Sequence, residues 1–437
     1  MSEEISTNIE PLPPPVASEV GPIQQQERIQ VIDILRGFAV FGILLVNLMF
    51  FFDAPPTLRM TGFRWPGLAN QIVEKGTEFF AMGKFYTLFS FLFGLGFAVQ
   101  LTRGEARGVN IVPIYRRRLF VLFLLGLIHG LVIWYGDILS TYALIGFLLL
   151  LFRKRKQKTL IVWAIICFSI SMILPMVRTT VVQIQRRNPE KAKKIAEEMQ
   201  EQKAKWKKDA EETTRSYSRG SYRELMEQRA MDFARNLSFA VIFCSQFLGI
   251  FLIGLYIGRL GLFQNLPEHM PLLQKVLQWG LPVGIIGNIV VVISGEYSDF
   301  LQADLLWGLG GSIYAIAVPA LSFSYVAGII LLVQNETWRR RLTPLSYVGR
   351  MALSNYLTHS VICTILFYSF GLGLYGKITP VGNLLLALII YPLQIPVSKW
   401  WLDRFQFGPA EWVWRSLTYG KFQPMRRPVA SPALAHG

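Results

Sequence analysis

Residues 33–47 read DILRGFAVFGILLVN, an apolar run with Asp33 and Arg36 at its start and Asn47 at its end. Such a run is typical of a helix that enters a lipid bilayer, where a charged side chain costs about 2.5–3.5 kcal/mol on insertion scales. Arg36 and Asn47 are eleven residues apart, so they lie about 20° apart around a helix, on one face. The segment predicts a membrane-spanning helix with a polar stripe.

The composition of the whole chain is also that of a membrane protein. Of its 437 residues, 52% are hydrophobic and only 16% are charged, whereas soluble domains carry about 25% charged residues. A net charge of +16 fits a nucleic-acid binder, but the basic residues lie between apolar runs, as in loops of membrane proteins. We therefore expect no nucleic-acid partner. The three cysteines show neither a metal-ligand nor a disulfide spacing, and we expect no metal.

Apolar runs of the required length recur along the chain. A spanning helix needs roughly 20 apolar residues, and we predict an all-α, polytopic membrane bundle of about ten transmembrane helices. The predicted spans are 31–52, 79–101, 118–135, 138–152, 159–177, 237–260, 272–294, 304–333, 347–370 and 380–402.

The composition changes along the chain and divides it into five parts. Residues 1–28 are acidic and proline-rich without signal-peptide features, and predict a disordered cytoplasmic tail. Residues 29–177 form a five-helix membrane half. Residues 178–236 are dense in Glu, Lys and Ala and predict an exposed helical arm. Residues 237–427 form a second five-helix half that ends in an interfacial segment, and 428–437 form a second tail.

The basic loops predict the orientation in the membrane. If the spans alternate, basic clusters at 116–118, 153–158, 338–342 and 425–427 lie on one side, and the acidic loop 295–304 lies on the other. The positive-inside rule then places both termini in the cytoplasm. Alternation places the arm outside, where a loop of its length translocates largely regardless of charge.

Three polar residues within the predicted spans are candidate catalytic groups. His129 lies inside an apolar run, where a neutral imidazole can accept and return a proton near pH 7. Asp137, at the start of the next span, can orient it. Asn47 is the third polar group, and its candidate role follows from a resemblance given below. The structural alternatives are a packing His129, a helix-capping Asp137 and an Asn47 that links two helices.

Six further residues are candidate binding groups. Asp33 and Arg36 either pair to close the start of the first span or mark the entrance of a cofactor channel. Arg350 and Arg415 lie on the same side and can face an anionic cofactor, although the segment of Arg415 also fits an interfacial anchor. Lys84 and Tyr135, toward the outer side, are expected to contact substrate, and snorkelling is the alternative for Lys84.

Several segments together resemble the YeiB-like bacterial membrane proteins, which carry a C-terminal domain of unknown function. The resemblance rests on RIQVIDILRGFAVFGILLVN at the start and KFYTLFSFLFG in the second span. It continues in GLIHG and WYGDILSTYALIG of the third and fourth spans, and in FGPAEWVWRSLTYGKFQPMRR at the end. It covers nearly the whole chain. The resemblance implies a multi-pass protein of the bacterial cytoplasmic membrane.

A more distant resemblance implies an activity. The pattern D-x-x-R-G followed by Asn47 resembles the first span of heparan-α-glucosaminide N-acetyltransferase, a member of the transmembrane acyltransferase superfamily. By this resemblance Arg36 matches the family's arginine and Asn47 its catalytic polar residue. The chain departs from the pattern in one respect, because residues 48–78 contain no histidine. We expect His129 to supply the base instead.

The resemblance implies an acyltransferase that takes an acyl group from cytoplasmic acyl-CoA to an acceptor outside. The expected partners are membrane lipids and a small-molecule, glycan or lipid acceptor, and a homo-oligomer stays open. Two other functions fit the same residues. One is a transporter or flippase for a lipid-linked or small amphipathic solute. The other is a non-catalytic scaffold that presents the arm to a partner.

Overall fold

The computed structural model describes residues 29–52 and 65–426. Both predicted tails, 1–28 and 428–437, lie outside the described residues. In the described part the chain folds into helices and forms no sheet, which agrees with the all-α prediction. The apolar character of these helices makes this a polytopic membrane protein.

The first half of the chain contributes eight helices to the described structure, three of which continue into a turn of different pitch. In chain order they are α1 (Gln30–Asn47, extended by a π-helical turn Leu48–Phe52), α2 (Leu68–Phe80), α3 (Lys84–Ala106), α4 (Val112–Ile128, extended by a π-helical turn His129–Ile133), α5 (Leu139–Leu149, extended by a 3-10 turn Leu150–Phe152), α6 (Gln157–Arg186), α7 (Pro189–Arg219) and α8 (Tyr222–Ile242).

The second half is more regular in its described residues. Its helices are α9 (Cys244–Leu260), α10 (Leu266–Tyr297), α11 (Leu305–Leu332), α12 (Glu336–Arg350), α13 (Ala352–Phe367), α14 (Pro380–Arg404) and α15 (Pro409–Tyr419).

The helices differ in whether they can cross a bilayer alone. Within the described residues six helical segments are long and apolar enough, and the bent pair α8–α9 makes a seventh if it counts as one span. The other three predicted spans, 118–135, 138–152 and 347–370, correspond to α4, α5 and α13, none of which exceeds 17 residues. Each of these predicted spans coincides with a helix, and among the three the sequence indicated a short segment only at 138–152.

The charged stretch at 178–236 is helical, as predicted. It comprises the end of α6, all of α7 and the first two-thirds of α8. The side chain of Asn188 accepts the backbone N–H groups of Glu190 and Lys191 and so starts α7, as an N-cap does. We call α7 and α8 the arm, and the end of the bundle that carries it the arm end. The opposite end, where α1 begins, is the basic end.

The two predicted membrane halves are interleaved in space. Helix α1 packs along α12, α3 along α9, and α6 along both α9 and α11. The crossing of α1 and α12 depends on small residues, because a Cβ atom at Gly37 would overlap the carbonyl of Leu345, and one at Gly349 would overlap the carbonyl of Asp33. This close approach brings the first turns of α1 beside the start of α13.

Candidate functional site

A cavity of about 650 Å³ lies toward the basic end of the bundle. Its wall is formed by α1, α3, α4, α5, the end of α12, α13 and α15. Six arginines line it at the basic end: Arg36, Arg103, Arg107, Arg118, Arg350 and Arg415. Farther in, the lining is apolar apart from the tyrosines Tyr86, Tyr142 and Tyr356. A cavity with a cationic mouth and an apolar interior fits an amphiphile whose polar end is an anion.

The four residues predicted to bind a cofactor lie together in this wall. Asp33, Arg36, Arg350 and Arg415 all line the cavity. Arg36 Nη1 donates to Asp33 Oδ1 at 2.8 Å, so the predicted pair forms. The pairing and the cavity position are compatible, because a guanidinium has five N–H donors and one carboxylate oxygen occupies few of them.

Sequence reasoning missed half of the arginine cluster. The guanidinium of Arg118 stacks on the ring of Trp414 at 3.9 Å, and the indole N–H of Trp414 donates to the carbonyl of Arg118 at 3.0 Å. Arg103 and Arg107 are four residues apart at the end of α3 and so share a face. That spacing could have indicated a shared binding face for Arg103 and Arg107. Arg118 belongs to the basic cluster 116–118, which we interpreted as a loop.

The C-terminal helix α15 forms part of the cavity wall and caps a neighbouring helix. The carboxylate of Glu411 accepts the N–H groups of Leu353 and Ser354 at 2.7 and 3.1 Å, and also the hydroxyl of Ser354. These are orphan donors at the start of α13. Burial raises the pKa of Glu411, and the hydrogen bonds from Ser354 oppose that effect. The segment predicted as an interfacial anchor thus also packs against the cavity.

Two of the predicted catalytic residues, His129 and Asp137, are hydrogen-bonded in the interior. His129 Nδ1 lies 2.9 Å from Asp137 Oδ1, and His129 Nε2 lies 2.8 Å from Ser360 Oγ. Asp137 Oδ2 accepts both the N–H and the hydroxyl of Ser140, at 2.8 and 2.6 Å. For an ionised carboxylate and a neutral imidazole, Nδ1 carries the ring hydrogen and Nε2 is the nitrogen that can accept the Ser360 hydroxyl. We call Asp137, His129 and Ser360 the relay.

Local backbone geometry brings the relay together. The N–H of Trp134 donates to the carbonyl of His129 at 2.8 Å, which closes the π-helical turn, and the chain is extended at Trp134. Asp137 then turns back beside His129. A Cβ atom at Gly126 would overlap the backbone N of Ser140 and crowd the Asp137 carboxylate, so only glycine fits there. Asp137 therefore contacts both His129 and the N–H of Ser140 in the first turn of α5.

One side chain separates the relay from the cavity. Tyr356 lines the cavity, and its ring centroid lies 5.1 Å from that of His129. Tyr356 precedes Ser360 by four residues on α13, so the two side chains share a helix face. The cavity therefore ends against the relay.

Asn47, the third predicted catalytic residue, also lies one layer behind the cavity. The hydroxyl of Tyr86, which lines the cavity, donates to Asn47 Oδ1 at 3.0 Å. The hydroxyl of Tyr142 donates to the carbonyl of Tyr86 at 2.8 Å. Within the described ranges Asn47 and His129 make no hydrogen bond to each other. Tyr86 lies between Asn47 and the cavity, and Tyr356 lies between His129 and the cavity.

The two predicted substrate residues lie away from the cavity. Lys84 is buried, and its Nζ donates to the carbonyl of Glu78 at 3.0 Å, so it does not snorkel to the surface. Tyr135 is buried and stacks on Tyr217 of the arm, with the ring centroids 6.0 Å apart. Lys84 holds the turn before α3, and Tyr135 contributes to the base of the arm.

The arm packs directly onto the backbone that carries the relay. The amide of Asn236 donates to the carbonyls of Tyr135 and Asp137 at 3.3 and 3.0 Å. The buried guanidinium of Arg229 donates to the carbonyl of Val132. A helix as polar as α8 therefore holds the relay segment from the arm end, a role that its charge pattern did not reveal.

The side chains that ligate metals do not cluster in the described structure. Over residues 29–52 and 65–426, no group of three His, Cys, Asp or Glu side chains is placed to hold a metal ion.

Comparisons with known proteins find relatives over most of the chain. The family model described as "Protein of unknown function (DUF418)" matches residues 257–421. The "Uncharacterized protein YxaH" of Bacillus subtilis (strain 168) is 35% identical over 433 residues, 94% of this chain and 99% of the relative. The "Uncharacterized protein YeiB" of Escherichia coli (strain K12) is 28% identical over 409 residues, 90% and 96% of the two chains. The similarity thus covers nearly the whole chain.

Proposed function

This chain belongs to the DUF418 family, which includes YeiB, and from that premise we propose that it is a transmembrane acyltransferase. It passes an acyl group from acyl-CoA at the basic end to an acceptor that enters from the arm end. The observation that carries the proposal is that a cavity with an arginine-lined mouth ends at Tyr356, whose ring contacts His129 of a buried Asp–His pair.

The mouth of the cavity supports an acyl-CoA donor. The 3′-phosphate and the pyrophosphate of CoA are anions, and guanidinium groups bind phosphate oxygens bidentately. Six arginines line the mouth. The apolar interior accommodates the pantetheine arm and the acyl chain, and it keeps water from the thioester.

The interior groups support transfer chemistry. In this proposal His129 is the base, oriented by Asp137. Asn47, held by Tyr86, donates its amide hydrogens to the thioester oxygen as negative charge develops there. Both groups lie one side chain behind the cavity wall, so substrate binding must displace or reorient Tyr356 and Tyr86.

The proposed orientation has the basic end and both termini in the cytoplasm. Its support is the charge of the loops, because basic loops favour the cytoplasmic side. Reporter fusions test it. A fluorescent protein fused at the C terminus is expected to fluoresce, and alkaline phosphatase inserted in α7 is expected to be active. The reverse pattern contradicts the orientation and the direction of transfer.

One observation favours a transporter as the second candidate. The pair α8–α9 is bent by 63° at its junction, and broken spans are typical of transport paths. A transporter would use the arginine-lined cavity for an anionic amphiphile and would not need the relay. The two functions therefore predict different effects of His129→Ala. The variant loses turnover if the protein is an acyltransferase and keeps its activity if the protein is a transporter.

The first experiment measures acyl-CoA binding by calorimetry on the detergent-purified protein. Gly96 lines the cavity, and a Cβ atom there meets no atom within 4 Å, so Gly96→Leu fills the cavity without a clash. We expect it to weaken acyl-CoA binding at least about tenfold, or about 1.4 kcal/mol. Gly76→Leu is the matched control, because Gly76 is equally open but lies outside the cavity.

Two further variants separate the donor site from the base. Arg36→Ala is expected to weaken acyl-CoA binding, whereas His129→Ala is expected to retain it. If well-folded wild-type protein binds none of acetyl-, butyryl- and palmitoyl-CoA, the acyltransferase proposal fails and the transporter is favoured. If Gly76→Leu weakens binding as much as Gly96→Leu does, acyl-CoA does not bind in this cavity.

A further inference from the structure

The relay contains a nucleophile that the sequence did not indicate. Both ring nitrogens of His129 are engaged, Nδ1 by Asp137 and Nε2 by Ser360. Nε2 is the basic nitrogen, and within the described structure it faces the hydroxyl of Ser360. His129 can therefore deprotonate Ser360 where it stands, whereas it can deprotonate a bound acceptor only after Ser360 has moved away.

We propose that Ser360 is a catalytic nucleophile that carries the acyl group as a serine ester between the two half-reactions. The inference rests on the proposed acyltransferase function and adds a covalent intermediate to it. The observation behind it is the chain from Asp137 through His129 to Ser360, with contacts of 2.9 and 2.8 Å.

The chain has the geometry of a Ser–His–Asp triad. In such triads an aspartate holds one imidazole nitrogen, and the other nitrogen takes the serine proton. The arrangement recurs on unrelated folds and is recognised by geometry and not by order in the sequence. Here Asp137 is itself fixed by the N–H and the hydroxyl of Ser140. Both His129 and Asp137 are buried, so bulk solvent does not screen the contact between them.

The shortest contact of the Ser360 hydroxyl is the one to His129. The competing acceptor is the carbonyl of Tyr356, which lies 3.5 Å from Ser360 Oγ. That is the long limit for a hydrogen bond, whereas 2.8 Å to His129 Nε2 is near the ideal. Bonding to a residue four positions earlier is the common alternative for serine in a helix, and here it is the weaker contact.

Tyr356 controls access to Ser360. Ser360 is buried and lies one helical turn beyond Tyr356, which forms the end of the cavity. The Tyr356 hydroxyl donates to the carbonyl of Gly136 over 3.4 Å, a long bond. Rotation of this side chain breaks this bond and a second hydrogen bond to the backbone of Ile138, and it joins the cavity to the relay. The thioester of a bound acyl-CoA then meets Ser360.

The two half-reactions balance. First, Ser360 Oγ attacks the thioester carbonyl while His129 Nε2 takes its proton. The C–S bond breaks, and the proton passes to the departing sulfur, so CoA leaves as the thiol. Second, a hydroxyl or amine of the acceptor attacks the serine ester while His129 Nε2 takes its proton. The C–O bond breaks, and the proton returns to Ser360 Oγ.

The test is exchange of radiolabelled CoA into unlabelled acyl-CoA in the absence of any acceptor, using acetyl-CoA and palmitoyl-CoA. A covalent intermediate predicts exchange by the wild-type protein, because the first half-reaction is reversible. Ser360→Ala is expected to abolish exchange and to keep acyl-CoA binding. Thr364→Val is the matched control, since it removes another buried hydroxyl of α13 that bonds to Val361 instead of His129.

Ser360→Cys supplies a chemical signature. We expect it to accumulate a thioester on the peptide that contains residue 360, seen by mass spectrometry and removed by neutral hydroxylamine, whereas an ester on the wild-type serine resists this treatment. If acyl-CoA binds but wild type shows no exchange, and Ser360→Ala still consumes acyl-CoA with membrane extract, transfer is direct and Ser360 is not the nucleophile. If no acyl-CoA binds at all, the proposed function itself fails.

Discussion

At the scale of single residues, local sequence predicts the contact between His129 and Asp137 but not the contact between His129 and Ser360. His129 and Asp137 are eight positions apart, and an apolar run with one imidazole next to a carboxylate predicts their interaction. Ser360 is 231 positions from His129, and nothing in its neighbourhood distinguishes it from Ser354 or Thr364. Its role depends on which face of α13 meets the π-helical turn, and that follows from packing alone.

We predict that Asp137→Asn lowers the rate of CoA exchange by a factor of about 10²–10⁴, as loss of the aspartate does in triads. An asparagine amide donates to His129 Nδ1, so Nε2 becomes protonated and no longer accepts the Ser360 hydrogen. The measurement is the exchange rate at saturating acyl-CoA, with calorimetry to show that binding is kept. An unchanged rate would mean that Asp137 only caps α5.

At the scale of helices, hydropathy predicted positions better than lengths. The run at 118–135 reads as one span, but α4 ends at Ile128 and a π-helical turn follows. Mean hydropathy depends only on which residues are present. It therefore cannot detect the change from α-helical to π-helical hydrogen bonding after Ile128. Only part of the arginine cluster was predicted, because composition does not show which helix faces line a cavity. Arg36 stands out in an apolar run, whereas Arg118 resembles any loop residue.

The crossing of α1 and α12 gives a prediction about stability. Gly349→Ala puts a methyl group against the carbonyl of Asp33, and overpacking of this kind costs about 1–3 kcal/mol. We expect a lower melting temperature for the detergent-purified variant. Because the same crossing sets Asp33 and Arg36 beside the cavity, acyl-CoA binding should weaken as well.

Gly76→Ala is the control for this prediction. Gly76 lies within α2 with no atom near its added Cβ, and alanine is about 0.5–1 kcal/mol better than glycine in a helix. Its melting temperature should stay level or rise. Equal stability of Gly349→Ala and wild type would show that α12 can shift away from α1 without loss.

At the scale of the whole molecule, ion pairs join the two helices of the arm to each other and join α7 to the bundle. Arg235 pairs with Asp209 at 2.7 Å within the arm, and Lys203 pairs with Asp299 of the α10–α11 loop at 2.6 Å. The charge pattern predicted a helical segment over 178–236, whereas the arm helices are Pro189–Arg219 and Tyr222–Ile242. It could not predict that the segment folds back onto the π-helical turn of the relay, since that contact uses backbone carbonyls.

The pair Lys203–Asp299 predicts a pH effect. Partial burial acts to raise the pKa of Asp299, but the hydrogen bonds from Lys203 and from the N–H of Leu301 outweigh it and hold the pKa below its ordinary value. The stabilisation is therefore complete above the ordinary aspartate pKa of about 3.9. It is lost as the pH falls through the lowered value. A partly exposed pair contributes at most about 1 kcal/mol.

We expect Lys203→Ala to melt below wild type at pH 7 and to approach it at a pH of about 3. Lys208→Ala is the control, because Lys208 pairs with Glu212 inside α7 and links nothing to the bundle. The measurement is the difference in melting temperature at the two pH values. A difference of the same size at both would mean that Lys203 acts through packing and not through Asp299.

The shortness of α4, α5 and α13 has a consequence for the lipid around the protein. At a rise of about 1.5 Å per residue, the 11 residues of α5 span only about 17 Å, against a hydrocarbon core of about 30 Å. Hydrophobic mismatch of this kind carries a cost for every ångström, and we expect a thinner bilayer where α5 and α13 face lipid. The relay joins α5 and α13. We therefore expect the distance between the two aqueous phases to be shortest there and to depend on the chain length of the surrounding lipids.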